Sequence, residues 1–299
     1  MSGASLPGTD IRKVGVIGCG LMGAGIAEVC ARAGLDVVVH EVGEDAAKAG
    51  RSRITASLDR GIRRGKLTGA ERDAALDRVR VTADLVDLSD RDLVVEAATE
   101  EEAVKVELFA ALDRIVVRED ALLTSNTSSL PIMKLGMATT RPHQVIGVHF
   151  FNPVPVLGLV EIVPSLLTSP QTQTRAEGLV TGTLGKQVIR SQDRAGFVVN
   201  ALLVPYLLSA IRMLESGFAS TEDIDTGMVL GCAHPLGPLS LADLIGLDTL
   251  AAIADAMYAD FKEPLHAAPP LLLRMVEAGL LGRKSGRGFH DYSESQKGS

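Results

Sequence analysis

The chain has 299 residues, a formal charge of −7 at pH 7 and 46% hydrophobic residues, a length that allows one or two domains. The acidic balance, 3% aromatic content and lack of Trp exclude a general nucleic-acid surface, which needs cationic and stacking groups. No apolar run is long enough to span a bilayer, so no membrane partner is expected. Cys19, Cys30 and Cys232 are odd in number and form no C-x-x-C pair. They exclude a disulfide framework and a structural zinc site, and they fit a reducing, cytoplasmic setting with no metal.

Met1 to Asp10 are rich in Gly, Ser and Pro without an apolar core, and read as a loose tail rather than a signal peptide. The first pointed motif follows. Val14 to Ile17 is an apolar run that breaks into Gly18-Cys19-Gly20-Leu21-Met22-Gly23, a G-x-G-x-x-G. Val37-Val38-Val39-His40-Glu41 comes next and ends on an acid. Strand, glycine loop, helix, second strand and terminal acid, in that order, are the layout of a dinucleotide site. The first glycine allows the tight turn, the second lets backbone approach a pyrophosphate, and the third lets helix and strand pack closely. The helix N-terminus faces the anion. A carboxylate at Glu41 accepts hydrogen bonds from a ribose 2′-OH and repels a 2′-phosphate. Val42, Gly43 and Glu44 follow it with no close Arg, which favours NAD over NADP. Cys19 reads as a small filler inside the loop.

Residues 45–80 are rich in Ala, Arg and Lys and poor in Pro, which predicts two helices turning at Gly65 to Gly69, with Thr68 and Glu71 as a capping box. Arg53, Arg60, Arg63 and Arg64 fall largely on one side, with Lys66 just beyond. That basic face either meets solvent or holds a phosphate-rich ligand. Strands are expected at 79–82, 93–97, 121–125, 145–150 and 160–163, with a helix over 101–114. Alternating strands and helices imply a mostly parallel sheet covered on both faces. From 195 the pattern changes, and helices are expected over 195–216, 221–230, 239–258 and 270–278. The boundary falls near Gln192-Asp193-Arg194, giving domains 1–193 and 194–299.

Several residues could carry chemistry. Ser125-Asn126-Thr127-Ser128-Ser129 follows a strand, where ligands of doubly wound folds bind. It either hydrogen-bonds a substrate oxygen or caps the next helix. His149 ends a strand and Glu161 lies in or near the next. A carboxylate on one imidazole nitrogen fixes the tautomer and leaves the other for proton transfer; the alternative is a structural histidine. Glu96 to Glu102 reads mostly as solvated helix-start charge before Lys105. Asn200 either faces solvent from a helix or reaches across a domain crevice.

Taken together, VGVIGCGLMGAGIA, SNTSSL, HFFNPVP, LVEIV, GFVVNALL, HPLGPLSLADLIGLD and GRKSGRGFHDY resemble the 3-hydroxyacyl-CoA dehydrogenase family, its short bacterial 3-hydroxybutyryl-CoA members above all. The resemblance runs from about Val14 to Tyr292. It implies an α/β fold: a Rossmann-type, mostly parallel sheet domain with a long helical insert, then an all-helical domain used for dimerisation. It implies His149 as general acid/base with Glu161 orienting it. Ser128 and Asn200 would hydrogen-bond the substrate oxygen, with Asn152 supporting the pocket. Gly18, Gly20, Leu21, Met22, Gly23 and Glu41 would hold NAD, with Glu100, Lys105 and Lys284 near its nicotinamide side. Ser57 and Arg64 would contact coenzyme A, and substrate would lie in the crevice between the domains. Two departures stand out: Glu41 where Asp is commoner, and Thr226-Gly227 in place of an apolar pair. Rival readings are the same chemistry on an acyl-carrier-protein thioester, a dehydrogenase of small free hydroxy acids, and a non-catalytic NADH-binding protein.

Overall fold

The computed structural model describes residues 10–293, which divide into two compact units between Arg194 and Ala195. The expected tail lies outside the described residues except for Asp10, whose carboxylate pairs with Arg175 at 2.6 Å. Among the described residues no helix is long and apolar enough to cross a membrane.

The first unit runs β1 (Lys13–Ile17), α1 (Leu21–Arg32), β2 (Asp36–His40), α2 (Glu44–Arg63), α3 (Gly69–Asp77), β3 (Val79–Thr82), β4 (Leu93–Glu96), α4 (Glu102–Ile115), β5 (Leu122–Ser125), α5 (Ile132–Met137), β6 (Val145–Phe150), β7 (Leu159–Pro164), α6 (Pro170–Gly178) and β8 (Gln187–Arg190). Its strands form one sheet in the order β3-β2-β1-β4-β5-β6-β7-β8. Pairing is parallel from β3 to β6, antiparallel between β6 and β7, and parallel again to β8. Val14, Val16, Val37, Val39, Leu93, Val95 and Leu122 are buried. Such near-continuous apolar strands belong to a sheet covered on both faces. The chain winds outward from β1 through β2 to β3, then returns to the other side of β1 with β4. The glycine loop therefore sits at the switch point, where doubly wound sheets bind ligands.

The α2–α3 hairpin is the expected insert, and Thr68 and Glu71 form the capping box in both directions. The sequence pattern did not signal α5, α6 or β8. Each is short, and β8 is only half-buried, so none carries a clear apolar period.

The second unit holds α7 (Val199–Glu215), α8 (Thr221–Cys232), α9 (Pro238–Ile245), α10 (Leu247–Phe261) and α11 (Pro270–Glu277). The single helix expected over 239–258 is two helices, broken at Gly246, whose φ of +102° no helix accommodates. Val204, Leu207 and Ile211 of α7 pack with Leu239 of α9, Leu250 and Met257 of α10 and Leu272 of α11. Asp243 is 1% exposed and clasps the C-terminal stretch, accepting from the Phe289 and His290 amides, both at 2.9 Å, and from the Tyr292 hydroxyl at 3.1 Å. A Cβ at Gly288 would stand 1.9 Å from the Asp243 carboxylate, so the clasp needs glycine there.

Replacing Asp243 with Ala strands those donors. Each buried unpaired donor costs about 1–3 kcal/mol. Asp243→Ala is expected to lower stability by about 2–4 kcal/mol, read as several degrees of Tm in thermal unfolding. A Tm within about 1 °C of the parent would refute the clasp.

Candidate active site

The glycine loop fits a dinucleotide by its shape. A Cβ on Gly23 would lie 1.8 Å from the Gly18 carbonyl oxygen, and one on Gly18, with φ of +82°, would lie 2.7 Å from the Ala97 carbonyl oxygen. Only glycine permits that crossing of loop, helix and β4. Above Gly20, by contrast, a Cβ would meet nothing within 4 Å, which leaves open space for a ligand against the backbone. Gly20 caps α1 with no side-chain hydrogen bond and no acid in the first turn, leaving Leu21 and Met22 at a helix start suited to a pyrophosphate.

Glu41 directly follows β2 beside this loop, and its Oε1 accepts from the Cys19 amide at 2.6 Å. The longer side chain thus reaches back to brace the turn. Cys19 is fully buried, and burial, reinforced by the Glu41 charge, pushes its thiol up to about 12. It is the inert filler the sequence suggested.

A buried ionic cluster lies under the next two strand ends. Glu96, the last residue of β4, is 0% exposed rather than a solvated helix-start charge. It accepts from Lys105 Nζ at 2.6 and 2.7 Å, from the Ser125 hydroxyl at 2.6 Å and from the Ala98 amide at 2.7 Å. Lys105, expected beside the nicotinamide, is 1% exposed, and its third contact is Glu100 at 3.0 Å. Glu100 in turn accepts from the Thr127 hydroxyl at 2.7 Å and the Ser128 amide at 2.8 Å. Burial raises the Glu100 pKa, but the Lys105 charge and these hydrogen bonds outweigh it and hold the carboxyl below its ordinary value.

The polar run after β5 therefore has divided duties. Ser125 binds Glu96, and the Asn126 side chain accepts from the Phe150 amide at 2.8 Å, tying this loop to β6. Thr127 turns the chain by accepting from the Leu130 amide at 3.0 Å. Ser128 is held against Glu100. Asp193 then caps α5, accepting from the Ile132 and Met133 amides, both at 2.7 Å. Sequence reasoning missed Glu96, Asn126 and Asp193 as builders of the site. An acid at the end of a buried strand, like Glu41 just past β2, was the available signal for Glu96.

The β6–β7 ladder sets His149 directly opposite Glu161. His149 Nδ1 and Glu161 Oε2 are 2.6 Å apart, with the histidine 6% and the glutamate 0% exposed. Phe151 closes edge-on against the imidazole at 4.6 Å between centroids, and Asn152 follows on the exposed side.

On α2, Ser57, Arg60 and Arg64 lie at i, i+3 and i+7 and share a face, with the arginines exposed and Arg64 forming the C-cap. Arg63 points about 100° away from Arg64. Arg53, exposed and one turn before Ser57 on the same face, has its Nη1 donating to the Cys19 carbonyl at 2.9 Å. In the second unit, Asn200 sits in the first turn of α7, half-buried, and Lys284 pairs with Asp248 at 2.6 Å.

Lys105 neutralises the buried Glu96 and the more exposed Glu100, so its loss leaves a buried carboxylate without its cation. Removing one partner of a buried ion pair costs about 3–5 kcal/mol. Lys105→Met is expected to lower Tm markedly, and Glu96→Gln in that background to recover part of the loss. Unchanged unfolding in Lys105→Met would contradict the cluster.

The chain matches the family models described as "3-hydroxyacyl-CoA dehydrogenase, NAD binding domain" over residues 13–194 and "3-hydroxyacyl-CoA dehydrogenase, C-terminal domain" over 196–292. A 3-hydroxybutyryl-CoA dehydrogenase of Mycobacterium tuberculosis is 61% identical over 94% of this chain and 99% of its own length. Among solved structures, Mycobacterium tuberculosis FadB2 superposes with a TM-score of 0.93 at 61% identity, covering 94% of this chain and 99% of that one. (S)-3-hydroxybutyryl-CoA dehydrogenase PaaH1 from Ralstonia eutropha gives 0.88 at 46% identity, covering 94% and 99%. With both halves of the chain matched in order, the protein belongs to the 3-hydroxyacyl-CoA dehydrogenase family.

Proposed function

We propose that the protein interconverts (S)-3-hydroxyacyl-CoA and 3-oxoacyl-CoA with NAD, with 3-hydroxybutyryl-CoA as the leading substrate. The observation that carries this reading is the His149–Glu161 pair at 2.6 Å, set by the β6–β7 register and next to the Ser128 loop through the Asn126–Phe150 bond. The bound nicotinamide supplies the acceptor for the C3 hydride in oxidation and its donor in reduction. Gly18, Gly20, Leu21, Met22, Gly23 and Glu41 hold the cofactor. Glu100 would meet its nicotinamide side, as the family resemblance implies, with Lys105 acting through Glu100.

Glu161 accepts the Nδ1 proton of His149, so proton exchange with the C3 hydroxyl is assigned to Nε2. The Glu161 charge stabilises the imidazolium formed when His149 takes that proton. In reduction His149 returns it to the alkoxide. The Ser128 amide is braced by Glu100 at 2.8 Å; its hydroxyl, which rests on the same carboxylate at 3.3 Å, turns from Glu100 to donate to the C3 oxygen, and this polarisation is worth most where charge develops. Asn152 supports the pocket. The roles given to Asn200 and Lys284 rest on the family resemblance. Ser57 and Arg64 are proposed to meet the phosphates of coenzyme A, since a cationic stripe on a chain of charge −7 suits such a ligand. A cytoplasmic setting agrees with the free thiols of Cys19, Cys30 and Cys232. A homodimer through the second unit is supported by Leu202, Phe218 and Leu230, which are 74%, 79% and 79% exposed.

The test is NADH consumption with acetoacetyl-CoA, beside acetoacetate and an acetoacetyl-carrier-protein. CoA-dependent turnover supports the reading. Turnover only with the carrier thioester would replace it. His149→Gln is expected to lose roughly 10²- to 10⁴-fold in kcat while still binding NADH. Near-parental kcat in that variant would remove His149 from the chemistry.

A further inference from the structure

Two opposite charges converge on one residue of the glycine loop. Glu41 accepts from the Cys19 amide at 2.6 Å, and Arg53 donates to the Cys19 carbonyl at 2.9 Å. Arg53 is twelve residues beyond Glu41 in the chain, so it is not adjacent by sequence. It arrives through packing. A Cβ on Gly50 would lie 2.7 Å from the Cys19 side chain, so glycine there lets α2 close onto the loop, and Arg53 sits one turn further along the helix. Among the described residues the Arg53 side chain makes no other hydrogen bond and pairs with no carboxylate, although Glu41 directly follows the neighbouring strand. Arg53 is an exposed residue, and its guanidinium retains donors, since it carries five N–H groups. Beyond the end of β2 there is room: Val42 is 92% exposed, and a Cβ on Gly43 would meet nothing within 4 Å.

In dinucleotide folds the acid ending the second strand binds the ribose 2′-OH, while a nearby arginine accommodates a 2′-phosphate. This chain places both at one turn. We propose that Arg53 is a specificity-determining residue, a guanidinium standing ready for the 2′ position of the adenosine ribose, and that the Glu41 charge alone keeps a 2′-phosphate out. This rests on the NAD reading above. A phosphate dianion brought beside Arg53 gains a charge-assisted hydrogen bond, and loses it again to repulsion while Glu41 remains ionised. NADP selection therefore lies one neutralised carboxylate away.

The experiment is calorimetric titration of NADH and NADPH into the intact protein and into Glu41→Gln, Arg53→Met and the double variant, with circular dichroism to confirm folding. Gln retains the acceptor for the Cys19 amide, so the loop keeps its brace. Hydrogen bonds to charged groups are worth roughly 10- to 100-fold in affinity. Glu41→Gln is expected to bind NADPH at least ~10-fold more tightly than the parent, and adding Arg53→Met to cancel that gain while changing NADH affinity less than ~3-fold. A gain in Glu41→Gln that survives Arg53→Met overturns the proposal. So does an equal loss of NADH and NADPH on Arg53→Met, which would make the arginine a brace for the loop alone. If the parent binds neither nucleotide, the cofactor reading fails first and takes the proposal with it.

Discussion

The reversal of strand direction between β6 and β7 is the constraint on which the candidate site depends. Side chains alternate faces along a strand, so a one-residue slip of this ladder would turn every β7 side chain to the other face. Glu161 would then leave His149, and an apolar neighbour, Val160 or Ile162, would take its register position. The surrounding valines and isoleucines are fully buried, and their burial pins the register. A buried carboxylate without its partner is costly, so the apolar packing that fixes the strands also forces the polar pair to form. Packing and chemistry are specified by the same alternation.

A second buried charge organises the other wall. Glu96 closes β4 at the topological switch, and through Lys105, Ser125 and the Ala98 amide it joins a strand end, a helix and a loop. Glu100 carries the link to Thr127 and Ser128. Each carboxylate here accepts from several donors, which is the condition under which buried charge is tolerated. The loop that presents Ser128 is therefore held from beneath by ionic contacts and from its far end by Asp193 on α5. The same economy recurs in the second unit, where Asp243 gathers the backbone donors of the C-terminal stretch.

Much of this was visible in the residues alone, because local patterns encode local structure. The G-x-G-x-x-G after an apolar strand, the terminal Glu41, the Thr68–Glu71 capping box and the strand ending in His149 each declare themselves within a few positions. What escaped the sequence is set by contacts between distant segments. Glu96 sits at the head of an acidic run, and only the fold shows Lys105 reaching it from α4. Arg53 belongs by periodicity to a solvent-facing stripe, and only the close approach allowed by Gly50 brings it to Cys19. Of the hydroxyl-rich run, the sequence could not tell that Ser125 goes to Glu96, that Asn126 ties the loop to β6, and that Thr127 and Ser128 both meet Glu100. The break at Gly246 was there to be found: a glycine between two helix-forming runs is a stop signal as much as a filler.

The assignment of proton exchange to Nε2 is the central claim, and it follows from a carboxylate occupying Nδ1. The most direct measurement is the pair of ring ¹⁵N chemical shifts of His149 at alkaline pH, where the imidazole is neutral, compared with Glu161→Gln. The expected result is a protonated Nδ1 and a bare, acceptor-type Nε2 in the parent, with that preference weakened in the variant. A proton resident on Nε2 in the parent would contradict the assignment, because that nitrogen could not then receive the hydroxyl proton of the substrate.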